Sequence, residues 1–100
     1  MTTVHIENTV KDFDTWKANF DKYERFRADQ GVQSYRVSRS ITEPNEVLID
    51  LEFGDQTAAQ AFLPRLEQIM SSPQAQAQLV RHSVPRVYAV VTERVPSAAS

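Results

Sequence analysis

Apolar and polar residues alternate in four short stretches of this chain, a pattern typical of half-buried β-strands. In the first stretch Val4 and Ile6 face one way, and His5 and Glu7 face the other. Two longer stretches place apolar residues every three or four positions, which is the period of an amphipathic helix. The four predicted strands are residues 3–10, 32–41, 47–53 and 86–95.

The first helical stretch carries an aromatic stripe with spacings of three, four and three residues. Its members are Phe13, Trp16, Phe20 and Tyr23. Asp12 or Asp14 is expected to cap the helix, because a short acidic side chain accepts a hydrogen bond from a free first-turn amide. Gly31 supplies the left-handed residue that ends helices. We therefore predict one helix from about residue 13 to Gly31, with its stripe packed on the sheet.

The second helical stretch follows the third strand and is predicted to be interrupted. Asp55 or Thr57 caps it, the latter within a capping box with Gln60. Pro64 is expected to kink or restart the helix, and the Ser72-Pro73 pair predicts a short third helix. The apolar stripe of the second helix is Ala58, Phe62, Leu66 and Ile69. The inner face of the third helix is predicted to carry Ala75, Leu79 and His82.

The order of elements is βαββαβ, which predicts an α+β, ferredoxin-like fold. Its four-stranded antiparallel sheet carries the helices on one face. Residues 1–95 form a single domain, followed by a flexible tail at residues 96–100.

The opposite face of the sheet mixes charged and apolar residues. Leu48, Tyr88 and Val90 lie on it with His5, Glu7 and Arg36. Apolar residues on an otherwise solvated face favour an interface with a second copy of the chain. We therefore predict a homodimer through this face, the alternative being a solvated sheet.

Composition removes several classes of function. The formal net charge of −2 gives no basic excess for nucleic acid, and the chain has no cysteine for a disulfide, thiol nucleophile or metal site. The longest apolar run, residues 87–91, is too short to span a membrane. The start of the chain lacks a signal-peptide pattern, so the cytoplasm is the expected compartment.

A pocket between the helices and the apolar sheet face is the predicted ligand site. The candidate substrate-binding residues are Trp16, Phe20, Tyr23, Phe53, Phe62 and Arg39. The candidate catalytic residues are His82, Arg27 and Tyr35. His82 is favoured for proton transfer because imidazole titrates near neutrality. The alternative is that the aromatic residues form only a packed core and that His82 has a structural role.

Metal and nucleotide sites are not predicted. His5 with neighbouring carboxylates matches either a metal site or an ion-pair network. Only two glycines, Gly31 and Gly54, are present, so there is no phosphate-binding glycine loop. We therefore expect no cofactor.

Several local features carry a resemblance to a known superfamily over about residues 3–95. They are the order of elements, the split second helix, the closing strand at residues 87–91, and the motifs Asp12-Phe-Asp-x-Trp16 and Gly31-Val-x-x-Tyr35-Arg36. The chain resembles the dimeric α+β barrel superfamily. Within it, the resemblance is closest to antibiotic-biosynthesis-monooxygenase-like and small polyketide-cyclase-like proteins.

The resemblance implies a homodimer and a cofactor-independent tailoring enzyme of secondary metabolism, of monooxygenase or cyclase type. Its substrate would be a flat, hydrophobic aromatic molecule. Because the superfamily contains many functions, the alternative is a non-catalytic ligand-binding or interaction protein of the same fold.

Overall fold

The computed structural model describes residues 1–97, and within that range it contains five strands and four helices. The strands are β1 (Thr2–Val10), β2 (Val32–Arg39), β3 (Glu46–Phe53), β4 (Leu79–His82) and β5 (Arg86–Ala89). The helices are α1 (Phe13–Asp21), α2 (Glu24–Asp29), α3 (Gln56–Met70) and α4 (Pro73–Gln78). Of the predicted tail, residues 98–100 lie outside the described residues.

The sheet is antiparallel and four strands wide, in the order β2-β3-β1, with β4 and β5 both paired to the other edge of β1. β5 pairs with residues 2–5 of β1, and β4 pairs with residues 8–10. The predicted fourth strand is thus two short strands along one edge. Pro85 lies between them and has no N–H to donate to the ladder. The predicted ferredoxin-like α+β fold is confirmed.

Alternation along the strands separates a buried face from an outer face, as predicted. Val4 and Ile6 are buried on the inner face, whereas Glu7 is exposed on the outer face. The strand register aligns Val4 with Leu51, and Ile6 with Ile49. These residues form the sheet half of the core. The helices complete the core with Trp16, Ala59 and Phe62.

The prediction of one aromatic helix is wrong, because the helix is broken at Lys22 and Tyr23. Both backbone N–H groups make short-range bonds at the break, Lys22 to the Asn19 carbonyl and Tyr23 to the Phe20 carbonyl, each at 3.2 Å. Such i to i−3 bonds tighten the last turn and end the helix. Gly31 then stops α2 at φ +95°, as predicted.

The predicted helix starts are confirmed in part. Asp12 caps α1 by accepting from the Thr15 N–H at 3.0 Å, and Asp55, rather than Thr57, caps α3. α3 continues through Pro64 without a restart. Ser72 caps α4, and Pro73 is its first residue.

The chain's end departs from the predicted long strand. β5 stops at Ala89 rather than Val95, although the Val90 N–H still donates to the Met1 carbonyl at 3.0 Å. Val91, which the predicted strand includes, lies beyond β5 and is 93% exposed. Within residues 1–97, no helix has the length and apolar character needed to cross a bilayer.

Candidate functional site

An apolar cavity of about 90 Å³ lies between the helices and the inner face of the sheet. Ile6, Ile49 and Leu51 form its sheet side. Side chains of the four helices and of the break between α1 and α2 form its helix side, and most of them are aromatic or aliphatic. They include Trp16, Phe20, Tyr23, Phe26, Phe62 and Met70. This is the position at which the sequence predicts a pocket.

The aromatic residues of the helix side contact one another. The ring centroids of Trp16 and Phe20 are 5.2 Å apart with nearly parallel planes. Phe20 meets Tyr35 edge-on at 5.5 Å, and Phe26 lies 6.2 Å from Phe62. Aromatic pairs at such separations stabilise a fold beyond their buried area. The aromatic stripe therefore has a packing role and lines the cavity as well.

Arg27 is the charged residue of the cavity wall. Its guanidinium carbon lies 3.7 Å from the centroid of the Phe20 ring and 4.9 Å from that of the Tyr35 ring. Its Nη2 donates to the Phe20 carbonyl at 2.8 Å and lies 3.4 Å from Glu24 Oε2. The residue is 5% exposed. A cation is thus held between two aromatic faces beside an apolar space.

Tyr35 and Glu24 form the outer part of this arrangement. The Tyr35 hydroxyl donates a short hydrogen bond to Glu24 Oε2. This bond raises the pKa of Tyr35 above its ordinary value and lowers the pKa of Glu24. Tyr35 is therefore a protonated hydrogen-bond donor at neutral pH, and not a base.

Asn8 is a buried polar residue of the cavity wall. It occupies an inner-face position of β1, between Ile6 and Val10, and it is 8% exposed. Its Oδ1 has no hydrogen-bond partner among residues 1–97, and neither does the Nε of Arg27. Buried polar atoms are usually hydrogen-bonded, so both deserve an explanation.

The structure places five of the nine predicted site residues at the cavity. These five are Trp16, Phe20, Tyr23, Arg27 and Phe62.

Three of the other predicted residues lie next to the cavity or away from it. Phe53 is fully buried and packs on Phe62. Tyr35 is separated from the cavity by Phe20 and Arg27, which its ring contacts. Arg39 is exposed, and its Nε donates to the Pro44 carbonyl.

The predicted position of His82 on the inner face of the third helix is wrong. α4 ends at Gln78, and the following residues form β4, in which His82 is exposed and pairs with Asn8 of β1. Leu79 and His82 are three residues apart, a spacing that also fits a helix, but here they lie on a strand. His82 borders an open polar cleft of about 400 Å³, not the apolar cavity.

His5 belongs to an ion-pair network on the outer face. Its Nδ1 lies 2.6 Å from Asp50 Oδ1, and its Nε2 lies 3.0 Å from Glu7 Oε2. The hydrogen bond with Asp50 is the main cause of a raised His5 pKa, and burial opposes it. Within residues 1–97, no three or more histidine, aspartate or glutamate side chains are grouped so as to hold a metal ion.

Asn8 was not among the predicted site residues. The signal was present, because Asn8 continues the inner-face alternation of Val4, Ile6 and Val10 with a polar side chain. Asn19 and Met70 were also missed at the cavity. Their positions depend on the break after α1 and on the packing of α3, which alternation and spacing do not reveal.

The sheet order, the helices on one face and the cavity between them define a protein with a ferredoxin-like α+β fold. Among solved structures, the chain is similar to SnoaB, a cofactor-independent oxygenase from Streptomyces nogalater. That similarity has a TM-score of 0.76 and 15% identity, over 96% of this chain and 97% of that one.

Two further solved structures share the fold. One is a dimeric ferredoxin-like protein from an uncultured marine organism, with a TM-score of 0.67 and 8% identity over 96% of this chain and 92% of the other. The second is a candidate antibiotic biosynthesis monooxygenase from Deinococcus radiodurans, with a TM-score of 0.57 and 13% identity. The match covers 99% of this chain and 100% of the other. No family model and no curated protein sequence matches the chain. At these identities the resemblance is confirmed as one of fold.

Proposed function

We propose that this chain is a cofactor-independent tailoring enzyme that binds a flat hydrophobic molecule in the apolar cavity. The observation that carries the proposal is the cavity itself, which has aromatic walls and one buried cation, Arg27, at its edge. Clefts that bind small molecules have this composition of apolar lining with few polar groups. The fold shared with a cofactor-independent oxygenase supports the same assignment.

Confinement and charge stabilisation are the two contributions that these residues make. Stacked Trp16 and Phe20 orient a planar ring, which lowers the entropic part of the barrier. Arg27 stabilises an oxyanion as a phenol or enol of the substrate loses its proton to water. The carbon conjugated with this oxyanion becomes electron-rich and then reacts with dioxygen or with an internal electrophile. Reaction with dioxygen is an oxygenation, and reaction with an internal electrophile is a cyclisation.

The size of the cavity sets a condition on this function. A volume of about 90 Å³ holds about three water molecules, which is less than the 300–1,000 Å³ or so of typical ligand clefts. A polycyclic substrate therefore requires the half-buried residues at the cavity wall to move. Such residues are Asn19, Tyr23 and Met70. If they do not move, the alternative of a non-catalytic protein with a packed core is favoured.

We also propose that the chain forms a homodimer through the outer face of its sheet. On that face Leu48 is 41% exposed, and the partly exposed Tyr88 lies beside His5. A second copy of the face would cover these side chains, and its alternating charges would find opposite partners across a two-fold axis.

Two alanines of α4 offer a matched test of the cavity. Ala75 lines it, whereas Ala77 is exposed on the same helix. We expect Ala75→Leu to fill the cavity and to weaken ligand binding tenfold or more. Ala77→Leu should leave binding unchanged. Binding is measured by the quenching of Trp16 fluorescence by 1,8-dihydroxyanthrone.

Oxygen uptake separates catalysis from binding. The anthrone methylene carbon is oxidised to a carbonyl with one oxygen atom of O₂, and the other atom leaves as water. We expect wild-type protein, with chelator and without added cofactor, to accelerate this uptake over the spontaneous reaction. Saturable binding without acceleration would favour the binding protein, and the absence of binding would refute both.

A further inference from the structure

Two buried polar groups of the cavity lack partners, and they are complementary. Asn8 Oδ1 is a hydrogen-bond acceptor, and Arg27 Nε–H is a donor. Both residues line the cavity and are more than nine-tenths buried. Native structures rarely leave such groups unpaired, because each forfeits its hydrogen bond to water without replacement.

The two groups lie on different sides of the cavity. Asn8 lies on β1, where it pairs with Val47 of β3 on one side and with β4 on the other. The guanidinium of Arg27 lies over the ring of Tyr35. Tyr35 belongs to the edge strand β2 and pairs with Leu51 of β3. Val47 and Leu51 are four residues apart on β3, which is roughly 13 Å along the strand. An apolar floor that includes Ile49 separates the two groups.

We propose that Asn8 and Arg27 are the two polar anchors of the ligand. The ligand is then a planar aromatic molecule with oxygen substituents at opposite ends, joined by an apolar body. A hydroxyl at one end donates to Asn8 Oδ1, and a hydroxyl, carbonyl or phenolate oxygen at the other end accepts from Arg27 Nε–H. This inference rests on the proposed function and names its substrate class.

The chemistry of each anchor fits a different role. The amide of Asn8 is neutral and selects for a hydroxyl without changing its ionisation. Arg27 is a permanent cation, held by Phe20 and Glu24, and it favours the anionic form of whichever oxygen it binds. The end of the ligand near Arg27 is therefore the end that becomes electron-rich.

A series of three probes tests the anchors: 2,6-dihydroxynaphthalene, 2-naphthol and naphthalene. Their affinities are measured from the Trp16 indole signal in ¹H–¹⁵N NMR titrations. For the wild-type protein we expect affinity to rise with each hydroxyl. Asn8→Leu should weaken the diol about fivefold, the equivalent of one neutral hydrogen bond, and should not weaken naphthalene binding. Thr9→Val, at the neighbouring outward position, is the matched control and should change nothing.

The stability of the same variant gives an independent readout. Asn8→Leu removes an unpaired buried acceptor, so we expect its melting temperature to rise while the preference for the diol is lost. Arg27→Met should weaken the diol about tenfold, with exposed Arg25→Met as its control. If Arg27→Met does not fold, the probe affinities of wild type, Asn8→Leu and Thr9→Val decide whether the anchors exist.

The outcomes separate the two levels of the proposal. Equal affinity for all three probes would overturn the anchors and leave the cavity as a binding site. A preference for the diol that survives in Asn8→Leu would also overturn them. Failure of all three probes to bind would overturn the proposed function together with this inference.

Discussion

The guanidinium carbon of Arg27 lies 3.7 Å above the ring of Phe20, and Arg27 Nη2 donates to the carbonyl of the same residue. One side chain thus contacts both the ring and the backbone of Phe20, a residue in the last turn of α1 just before the helix break. The contact spans the break between α1 and α2, and it gives the Phe20 carbonyl a second donor beside the Tyr23 N–H. Arg27 is therefore a structural residue as well as a candidate for the site.

Replacing Arg27 with lysine tests this structural role. Lysine keeps the charge but loses the planar, multiply donating group that lies on Phe20 and reaches its carbonyl. We expect Arg27→Lys to lower the free energy of unfolding by about 1–3 kcal/mol, measured by urea denaturation. Arg25→Lys, which changes an exposed residue of the same short helix, should alter stability by less than about 0.5 kcal/mol. Equal effects of the two changes would contradict the assigned contact.

Trp16 should dominate the packing between α1 and the sheet. It is buried, stacks on Phe20 and borders the cavity. We expect Trp16→Ala to lower the free energy of unfolding by about 3–5 kcal/mol. Trp16→Phe, which keeps an aromatic ring, should cost less. Because Trp16 is the only tryptophan, the wild-type emission maximum should be that of a shielded indole. A solvent-exposed maximum would refute the packing.

Tyr35 should titrate at a higher pH than an ordinary tyrosine, because its hydroxyl donates to Glu24 and this bond raises the Tyr35 pKa. The bond therefore stabilises the fold fully between pH 4.5 and pH 10, the unfolded pKa values of Glu24 and Tyr35. This stabilisation is lost as the pH rises through the folded pKa of Tyr35 or falls through the folded pKa of Glu24. Absorbance of tyrosinate, compared between wild type and Tyr35→Phe, isolates its titration. Glu24→Gln should return the midpoint towards 10. An unchanged midpoint would show that the bond is not maintained in solution.

The sequence was sufficient for the first three strands of the sheet, because their signals are local. Alternation at Val4 and Ile6 and at Ile49 and Leu51 fixes both the strands and the buried face. The Ser72-Pro73 start of α4 is likewise a local signal.

The errors involve interactions that the spacing of apolar residues does not encode. The helix break at Tyr23 is accompanied by contacts of Arg27 with Phe20 and Tyr35, and aromatic spacing does not reveal them. His82 was misplaced because β4 forms only by pairing with β1, and its spacing from Leu79 also fits a helix. The predicted residues of the aromatic helices therefore lie at the cavity, whereas His82 lies on a closing strand away from it.

Leu48 provides a test of the proposed dimer. Its side chain is partly exposed on the outer face, so a lysine there costs the single chain little. We expect wild-type protein to be dimeric at micromolar concentration by light scattering, and Leu48→Lys to shift it to monomers. Ile41→Lys is the control, because Ile41 is 99% exposed in the β2–β3 turn, away from the face. A monomeric wild type would refute the interface.

His5 predicts a pH dependence of stability. Its two ring nitrogens face the carboxylates of Asp50 and Glu7, while Arg86 and Arg36 flank the same row of the sheet. The hydrogen bond to Asp50 is the largest contribution to the raised His5 pKa. Because the folded pKa exceeds the unfolded value of 6.5, the stabilisation is complete below pH 6.5. It is lost as the pH rises through the folded pKa.

The measurement follows the His5 ring proton by NMR in His82→Gln, which leaves one histidine in the chain. We expect a midpoint above 6.5. The stability difference between this protein and a further His5→Gln change should be largest at acidic pH and should shrink above the midpoint. Asp50→Asn should lower the midpoint more than Glu7→Gln does, because the Asp50 contact is shorter and is the dominant cause. Equal shifts would mean that His5 responds to the summed charge of the face. A larger shift for Asp50→Asn would identify its hydrogen bond as the interaction that holds the imidazolium in place.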